Sequence, residues 1–559
     1  MRIADFIVEL QEQQIRFEVA EGKLKVSAPK GAGILTGEIT GKIRERKQEI
    51  LDFLLKLDEA GGRAAVQPVA EQASYELSRA QQRFWMLNQL GDSAALYNMC
   101  RSLYFEGSLQ VPVLHRAIAY VVDRHESLRT FFREDSKGQV RQWIRPAGEA
   151  RVECAFEDIS HFPSPEAALH AIAIGEQSAP FDLREKPPLR LKLVKLRGDL
   201  HAFYYTAYHI ISDGWSMEVL GQEVATAYNA FLHGTSPALP TLPFQYKDFS
   251  DWQEQQLSGL GTETHRAYWR QQLNGVLPVL QLPADRERPS VKTYNGGHVS
   301  QVLPAATVGA LRSLCHRQGT TLFTGLLAGL NALFYRYTGQ SDIVLGTPVA
   351  GREYHAFENQ IGLYLNTLAL RTRFSATDTF AELLGKQQQV VGEGYRHQSY
   401  PFDLLIEELE IQRDPARSPL FDVMVVLQVQ AVPPAGEGAT GLEGIQVKGL
   451  TGATSDVCEY DLLFNFTEAG EEVNMMVTYN TDIYGNRKVQ ALCDHFVQLL
   501  RAAVAAPLVA VSQLDYLSAT EKHSLLSGLD AEAIAYPDGE TIVSLFAAQV
   551  ARRGDAPAV

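Results

Sequence analysis

The sequence predicts a mixed α/β (α+β) protein of several folded units, headed by a small helix-hairpin-helix module. Three observations carry that expectation. The chain has 559 residues, more than one ordinary hydrophobic core accommodates. From residue 74 to residue 505, strand-like alternation and helix-like spacing mix without a repeat and without regular strand-helix alternation. Ahead of that body, residues 1–57 carry periods of their own and are set off by a shift in composition.

Taken in order, Ile3, Phe6, Ile7 and Leu10 recur at helical spacing, residues 15–17 and 24–26 read as a short strand pair, and 38–57 as a helix. Residues 58–73 run through small residues, glycine and proline with little to pack, which reads as a linker. Residues 189–208 read as a hairpin, with β-prone runs on either side of Arg197, Gly198 and Asp199. A Ser212-Asp213-Gly214 turn then leads into helical spacing over 215–232. A boundary falls between residues 253 and 301, where helical sequence passes into the proline-bearing 282–290, so the body divides into 74–260 and 261–510. In the remaining 511–559, a short helix at 521–526 and the start of another after Tyr536 are expected.

Composition narrows the function classes. Hydrophobic residues at 45% and charged residues at 21% fit a soluble globular protein. The formal net charge of -15, with no basic stripe, argues against a nucleic-acid partner, which needs cations to neutralise phosphates. No apolar run reaches the roughly 18–20 residues of a membrane span, and Arg2, Asp5 and Glu9 already stand in the first ten residues, so a cytoplasmic protein without a membrane partner is expected. Cys100, Cys154, Cys315, Cys458 and Cys493 stand singly, which points to inert thiols and no metal site.

The most telling stretch is Tyr208-His-Ile-Ile-Ser-Asp-Gly214. It sets the imidazole of His209 where a strand ends and the carboxylate of Asp213 four positions later, at a strand-to-helix corner. A neutral imidazole there can hydrogen-bond an attacking N–H or O–H, while Asp213 fixes the corner by pairing with a cation from elsewhere in the fold. That is a layout for acyl transfer. The same short pattern also fits a structural histidine at a turn.

Several motifs in one order are more specific. Ser78-Arg-Ala-Gln-Gln-Arg-Phe-Trp-Met-Leu-Asn-Gln-Leu90, Arg124-His-Glu-Ser-Leu-Arg-Thr-Phe131, His209 to Gly214 with Trp215, Tyr246-Lys-Asp-Phe-Ser-Asp-Trp-Gln253, Ile361-Gly-Leu-Tyr-Leu-Asn-Thr-Leu-Ala-Leu-Arg371, His397-Gln-Ser-Tyr-Pro-Phe-Asp403 and Arg413-Asp-Pro-Ala-Arg-Ser-Pro-Leu420 follow one another. Together they resemble the condensation domain of nonribosomal peptide synthetases along nearly all of residues 74–505. Residues 1–57, including Ala28-Pro-Lys-Gly31, resemble the docking domain that recruits the carboxyl tail of an upstream synthase subunit, although a plain packing appendage would share the pattern. Residues 542–559 resemble the first helix of an adenylation domain, which implies a longer natural protein.

The resemblance implies two chloramphenicol-acetyltransferase-like lobes in a V, with a tunnel entered from opposite faces by two carrier-bound thioesters. Their phosphopantetheine arms meet at His209, as substrates; no cofactor and no metal are implied for the chain itself. The acceptor's α-amine attacks the donor thioester, with His209 as base or as positioning group. Gly214 leaves room for the acceptor arm, or is a plain turn glycine. Asp213 is assigned to architecture, with Arg352 as partner from the other lobe, and Arg129 to a similar purpose near the tunnel. Trp215, Asn366 and Thr367 are assigned to the tunnel or to the crossover between lobes. The Arg124-His-Glu and Ala80-Gln-Gln-Arg-Phe-Trp85 stretches are similar to the subtype that joins an L-donor to an L-acceptor.

One departure stands out: the family usually has two consecutive histidines, and here Tyr208 stands at the first. Adjacent strand residues point to opposite faces, so Tyr208 is expected to face away from the tunnel as a packing or hydrogen-bonding residue. Partners expected on this reading are donor and acceptor carrier proteins, a downstream adenylation domain, and an upstream acidic tail added as a strand along Lys23, Leu24, Lys25 and Val26, with Lys30 nearby. Two other readings share the residues: a stand-alone acyltransferase using coenzyme A thioesters, and a non-catalytic scaffold that only holds carriers.

Overall fold

The computed structural model describes residues 15–20, 23–27, 37–51, 66–89, 94–150, 152, 154–259, 261–411, 414–429, 441–449, 457–527 and 539–555. In the amino-terminal unit, β1 (Arg16–Ala20) pairs antiparallel with β2 (Lys23–Ser27), Phe17 opposite Val26 and Val19 opposite Leu24. Helix α1 (Gly37–Glu45) follows; Ile43 on it and Ile50 beyond its end are buried. The helix expected around Ile3 to Leu10, the Ala28-Pro-Lys-Gly31 stretch, Lys30 and the side chains of Lys23 and Lys25 lie outside the described residues.

The first lobe contains α2 (Arg79–Gln89), β3 (Asn98–Gly107), α3 (Val111–Arg124), β4 (Thr130–Glu134), β5 (Val140–Ile144), β6 (Cys154–Asp158), α4 (Pro165–Ser178), β7 (Leu189–Arg197), β8 (Leu200–Tyr208), α5 (Gly214–Leu232) and α6 (Tyr246–Leu257). Strand β7 alternates, burying Leu189, Leu191 and Leu193, and turns through Gly198 into β8, whose residues after Leu200 are all buried. Helix α3 lines up Leu114, Ala117, Ile118, Val121 and Val122 on one face, the spacing that lets it pack on α5.

The second part of the chain contributes α7 (Gly261–Gln272), β9 (Gly296–Leu303), α8 (Ala305–Arg317), α9 (Leu322–Thr338), β10 (Asp342–Val349), β11 (Asn366–Arg373), α10 (Phe380–Arg396), α11 (Phe402–Glu408), β12 (Val423–Val429), β14 (Leu462–Ala469), β15 (Glu472–Asn480) and α12 (Asn486–Ala505) to the second lobe, and β13 (Ile445–Gly449) to the first. The sheet of the second lobe runs β11-β10-β12-β14-β15-β9. Helix α9 is apolar all round and buried from Leu322 to Phe334, as a helix central to a core must be. Beyond it come α13 (Ala519–Ser527) and α14 (Ile542–Arg552).

The expected single division at residue 260 is incomplete. Trp269 and Leu273 do join the second core, yet the chain returns to the first lobe twice. Phe357, Ile361, Leu363 and Tyr364 pack into the first core, and Leu442 and Ile445 carry β13 onto the edge of the first sheet, which runs β13-β3-β8-β7-β6. Proline and periodicity mark where local structure changes, but not which core a loop's apolar residues find. Among the described residues no helix is long and apolar enough to cross a membrane, and no cluster of His, Cys, Asp or Glu is arranged to hold a metal.

Candidate active site

Strand β8 ends at Tyr208, and a single 3-10 turn, His209–Ile211, leads into α5. From α2, Gln81 donates to the Ile210 carbonyl at 3.2 Å, while its own Oε1 accepts the Ser78 N–H at 3.1 Å. Phe84 lies flat on the His209 imidazole, centroids 4.9 Å apart and planes 13° from parallel. Tyr208 is fully buried on the other side: its hydroxyl donates to the Phe84 carbonyl at 3.3 Å, and its ring meets Phe84 and Tyr97 edge-on.

His209 is partly buried, and its Nδ1 is shut off from solvent without a hydrogen bond, which leaves Nε2 for a substrate. Burial holds the imidazolium below the usual value of 6.5, outweighing the carboxylates of Asp213 and Glu459 and the nearby main chain of His209 and Ser212, which favour the charged form. The ring is therefore neutral at pH 7.

Asp213 caps α5 by accepting the Ser216 N–H at 2.7 Å, takes the Tyr364 N–H at 3.0 Å, and receives Arg352 at 3.0 and 3.3 Å. None of these bonds goes to His209. Arg352 also donates to Ser216 Oγ at 2.8 Å, to the Gln360 carbonyl at 2.8 Å and to the Phe357 carbonyl, with its guanidinium 4.3 Å from the Tyr364 ring centroid. Ahead of it, Gly351 has a φ of +64°, and a Cβ there would come within 1.9 Å of the Tyr364 carbonyl oxygen. A buried cross-lobe network results, with Asp213 and Arg352 2% and 3% exposed.

At Gly214 an added Cβ would meet nothing within 4 Å, and the backbone is not left-handed, so neither turn strain nor internal packing demands glycine. Trp215 is partly exposed and donates to the Glu358 carbonyl at 2.9 Å. Two expectations need correction. Arg129 binds carbonyls, those of Asp123 at 3.3 Å and of Arg145, and not a carboxylate; it ties the end of α3 to the β4–β5 hairpin. Asn366 and Thr367 do not make the crossover, which residues 351–365 do because their apolar side chains fill the first core, but both line the cavity between the lobes, the other place expected for them. Asn366 instead opens β11, donating to the carbonyls of Gln398 and Tyr400 at 2.7 Å each and accepting the Phe402 N–H at 3.0 Å.

A cavity of about 280 Å³ lies between the lobes beside Phe84, lined by Trp252 and Phe249 from one lobe and by Asn366, Thr367, Tyr400 and Phe402 from the other. Arg83 borders it and reaches Asp403 at 3.5 Å and Glu459 at 3.7 Å across the gap. Sequence reasoning missed Gln81, Phe84 and Glu459 as neighbours of His209. The first two sit inside a quoted motif, whereas Glu459 has no local pattern to mark it.

A family model for the condensation domain matches residues 71–526. The chain belongs to the condensation-domain family. A second model, the TubC N-terminal docking domain, matches residues 3–55. Gramicidin S synthase 2 of Aneurinibacillus migulanus is 35% identical over 499 residues, 89% of this chain and 11% of that protein. Tyrocidine synthase 3 of Brevibacillus parabrevis is 34% identical over 495 residues, 88% of this chain and 7% of its own. The chain thus spans a small part of the length of these curated relatives. Among solved structures, the complex of the X-domain and OxyB from teicoplanin biosynthesis matches with a TM-score of 0.73 and 26% identity over 82% of this chain and 99% of that one. The first condensation domain of the calcium-dependent antibiotic synthetase, solved with a substrate analogue, shares the fold: TM-score 0.65, 22% identity, 80% of this chain and 100% of that one. The two lobes are the paired chloramphenicol-acetyltransferase-like halves of a condensation domain. Condensation domains of nonribosomal peptide synthetases form amide bonds by acyl transfer.

Proposed function

We propose that this domain joins a donor acyl group, held as a thioester on one carrier protein, to the α-amine of an aminoacyl group held on a second. The observation that supports this best is a neutral imidazole with an enclosed Nδ1, fixed beneath Phe84, whose ring lines a cavity shared by both lobes. The acceptor nitrogen attacks the donor carbonyl, the C–N bond forms, and the C–S bond breaks. A proton leaves the nitrogen by way of His209 and ends on the departing pantetheine thiol. Orientation of two tethered reactants can supply about 7–11 kcal/mol, so His209 need contribute only about two to four orders of magnitude. The open space at Gly214 suits a passing acceptor arm. Donor and acceptor are taken as L-configured, in a cytoplasmic synthase.

The amino-terminal module is assigned to docking: the β2 edge receives the carboxyl tail of an upstream subunit, and a downstream adenylation domain supplies the acceptor. Deleting residues 1–57 is expected to slow transfer from the upstream carrier far more than transfer from a soluble donor thioester, since docking raises local concentration without touching the chemistry. Equal slowing of both would remove the docking assignment. For the reaction, both carriers are loaded and the condensed product is sought by intact-protein mass spectrometry, expected with the wild type and absent with His209→Ala. Product from free coenzyme A thioesters but never from carrier-bound donors would point to a stand-alone acyltransferase; no product from either, to a scaffold.

A further inference from the structure

The second lobe brings to the neighbourhood of His209 one carboxylate that the reaction above leaves without a role. Glu459 stands just ahead of β14, its side chain 31% exposed. Two first-lobe groups approach its Oε1: the Tyr97 hydroxyl at 3.5 Å and the Arg83 guanidinium at 3.7 Å. Both distances are long beside the roughly 2.7–2.9 Å of a well-made charge-assisted bond, and Arg83 is shared with Asp403. The ring of Tyr97 in turn meets Phe84 edge-on, centroids 5.1 Å apart, and Phe84 covers the imidazole. Glu459 is thereby carried to the His209 side of the gap, and its charge is felt at the ring. The neighbouring Lys292 feels the charge of Glu459 without a direct ion pair to it. Its ammonium bonds the Ser418 hydroxyl and rests against the rings of Tyr294 and Tyr460, 5.5 Å from each centroid. A partly exposed carboxylate that meets Tyr97 and Arg83 only at long range, with the Tyr460 hydroxyl also beside it, stands next to a neutral imidazole as a seat for a cation.

We propose that Glu459 holds the acceptor: its carboxylate receives the α-ammonium of the acceptor aminoacyl group beside His209. This rests on the condensation reaction proposed above. An ammonium has no lone pair with which to attack. Held by Glu459, it passes one proton to Nε2 of His209, and the freed lone pair forms the C–N bond while the C–S bond breaks. His209 returns that first proton to solvent, then takes the second from the nitrogen as the amide forms and delivers it to the departing thiolate.

The test uses the whole chain and two probes: a pantetheine derivative carrying glycine through a stable amide, and its glycolyl counterpart, with a hydroxyl in place of the ammonium. Calorimetry at pH 7 is expected to show the wild type binding the glycyl probe about tenfold more tightly, and Glu459→Gln binding both alike. Equal affinities in the wild type, or a preference that survives Glu459→Gln, overturn the assignment. So does a variant that loses affinity equally for both probes, which marks Glu459 as a structural residue. With loaded carriers, Glu459→Gln is expected to raise the acceptor KM with a far smaller fall in kcat, and Glu459→Asp to recover part of the loss. Absence of condensation by the wild type would remove the reaction and leave the probe result standing, so the two failures are distinguishable.

Discussion

His209 and Asp213 stand four residues apart and answer to different physics. The imidazole lies under Phe84 with one nitrogen left for a substrate, and the fold asks little of it beyond that stack. His209→Ala is therefore expected to abolish most condensation while shifting the melting temperature little; near wild-type single-turnover rates would end its catalytic assignment. Asp213 is the buried counter-charge of Arg352 and the cap of α5. Asp213→Ala strands a guanidinium that is almost fully buried, which costs about 3–5 kcal/mol. Its melting temperature should fall clearly along with activity, and an unchanged value would show that the pair does not support the fold. Tyr208 differs from both, since its hydroxyl and ring hold Phe84 from behind. Tyr208→His is expected to lower stability through lost packing but to keep turnover in the wild-type range. A rise of several orders of magnitude would instead mean that the natural chain is an impaired scaffold.

Among the elements, the crossover at 351–365 does the most to set the site, because it delivers Arg352 and the Tyr364 amide to the first turn of α5. Its path depends on Gly351, whose left-handed backbone and contact with the Tyr364 carbonyl leave no space for a side chain. Gly351→Ala should cost at least about 1–2 kcal/mol from backbone strain alone, with the clash added. A melting temperature equal to the wild type would show that the crossover relaxes freely. The hairpin over 189–208 and the helix after Asp213 were legible in the sequence because local chemistry decides them: alternation, a Gly198 turn, a capping carboxylate. The crossover was not. Phe357, Ile361, Leu363 and Tyr364 look like any apolar loop until a distant core takes them in, and Glu459 reaches the His209 region only through two residues of the other lobe. Arg129 misled for a related reason, since a buried arginine can be satisfied by carbonyls that leave no mark in composition.

At the scale of the whole molecule, the lobes share a buried ion pair and exchange strands and loops, so protonation anywhere in that shared interior bears on the stability of both. Four histidines held below their ordinary value, His125, His201, His209 and His397, make acid the sensitive direction. His125, fully buried with Nε2 2.8 Å from a Glu223 oxygen, is held below the usual 6.5 mainly by burial, and His209 likewise. Because the folded state binds these protons less readily than the unfolded chain, their contribution is fully present above pH 6.5 and is lost as pH falls through the lowered folded values. Asp403 and Asp422 act in the opposite sense, since burial raises their carboxyls and the folded state takes those protons first, offsetting part of the loss. The melting temperature is expected to decline from pH 7.5 to 5.5, well above the range in which ordinary exposed carboxylates titrate. His125→Asn, whatever its own stability at pH 7.5, should show a shallower decline, because the most deeply buried of the groups that resist protonation is gone. A melting temperature that stays level or rises over that interval, or a decline just as steep in His125→Asn, would show that the buried imidazoles do not govern the acid limit.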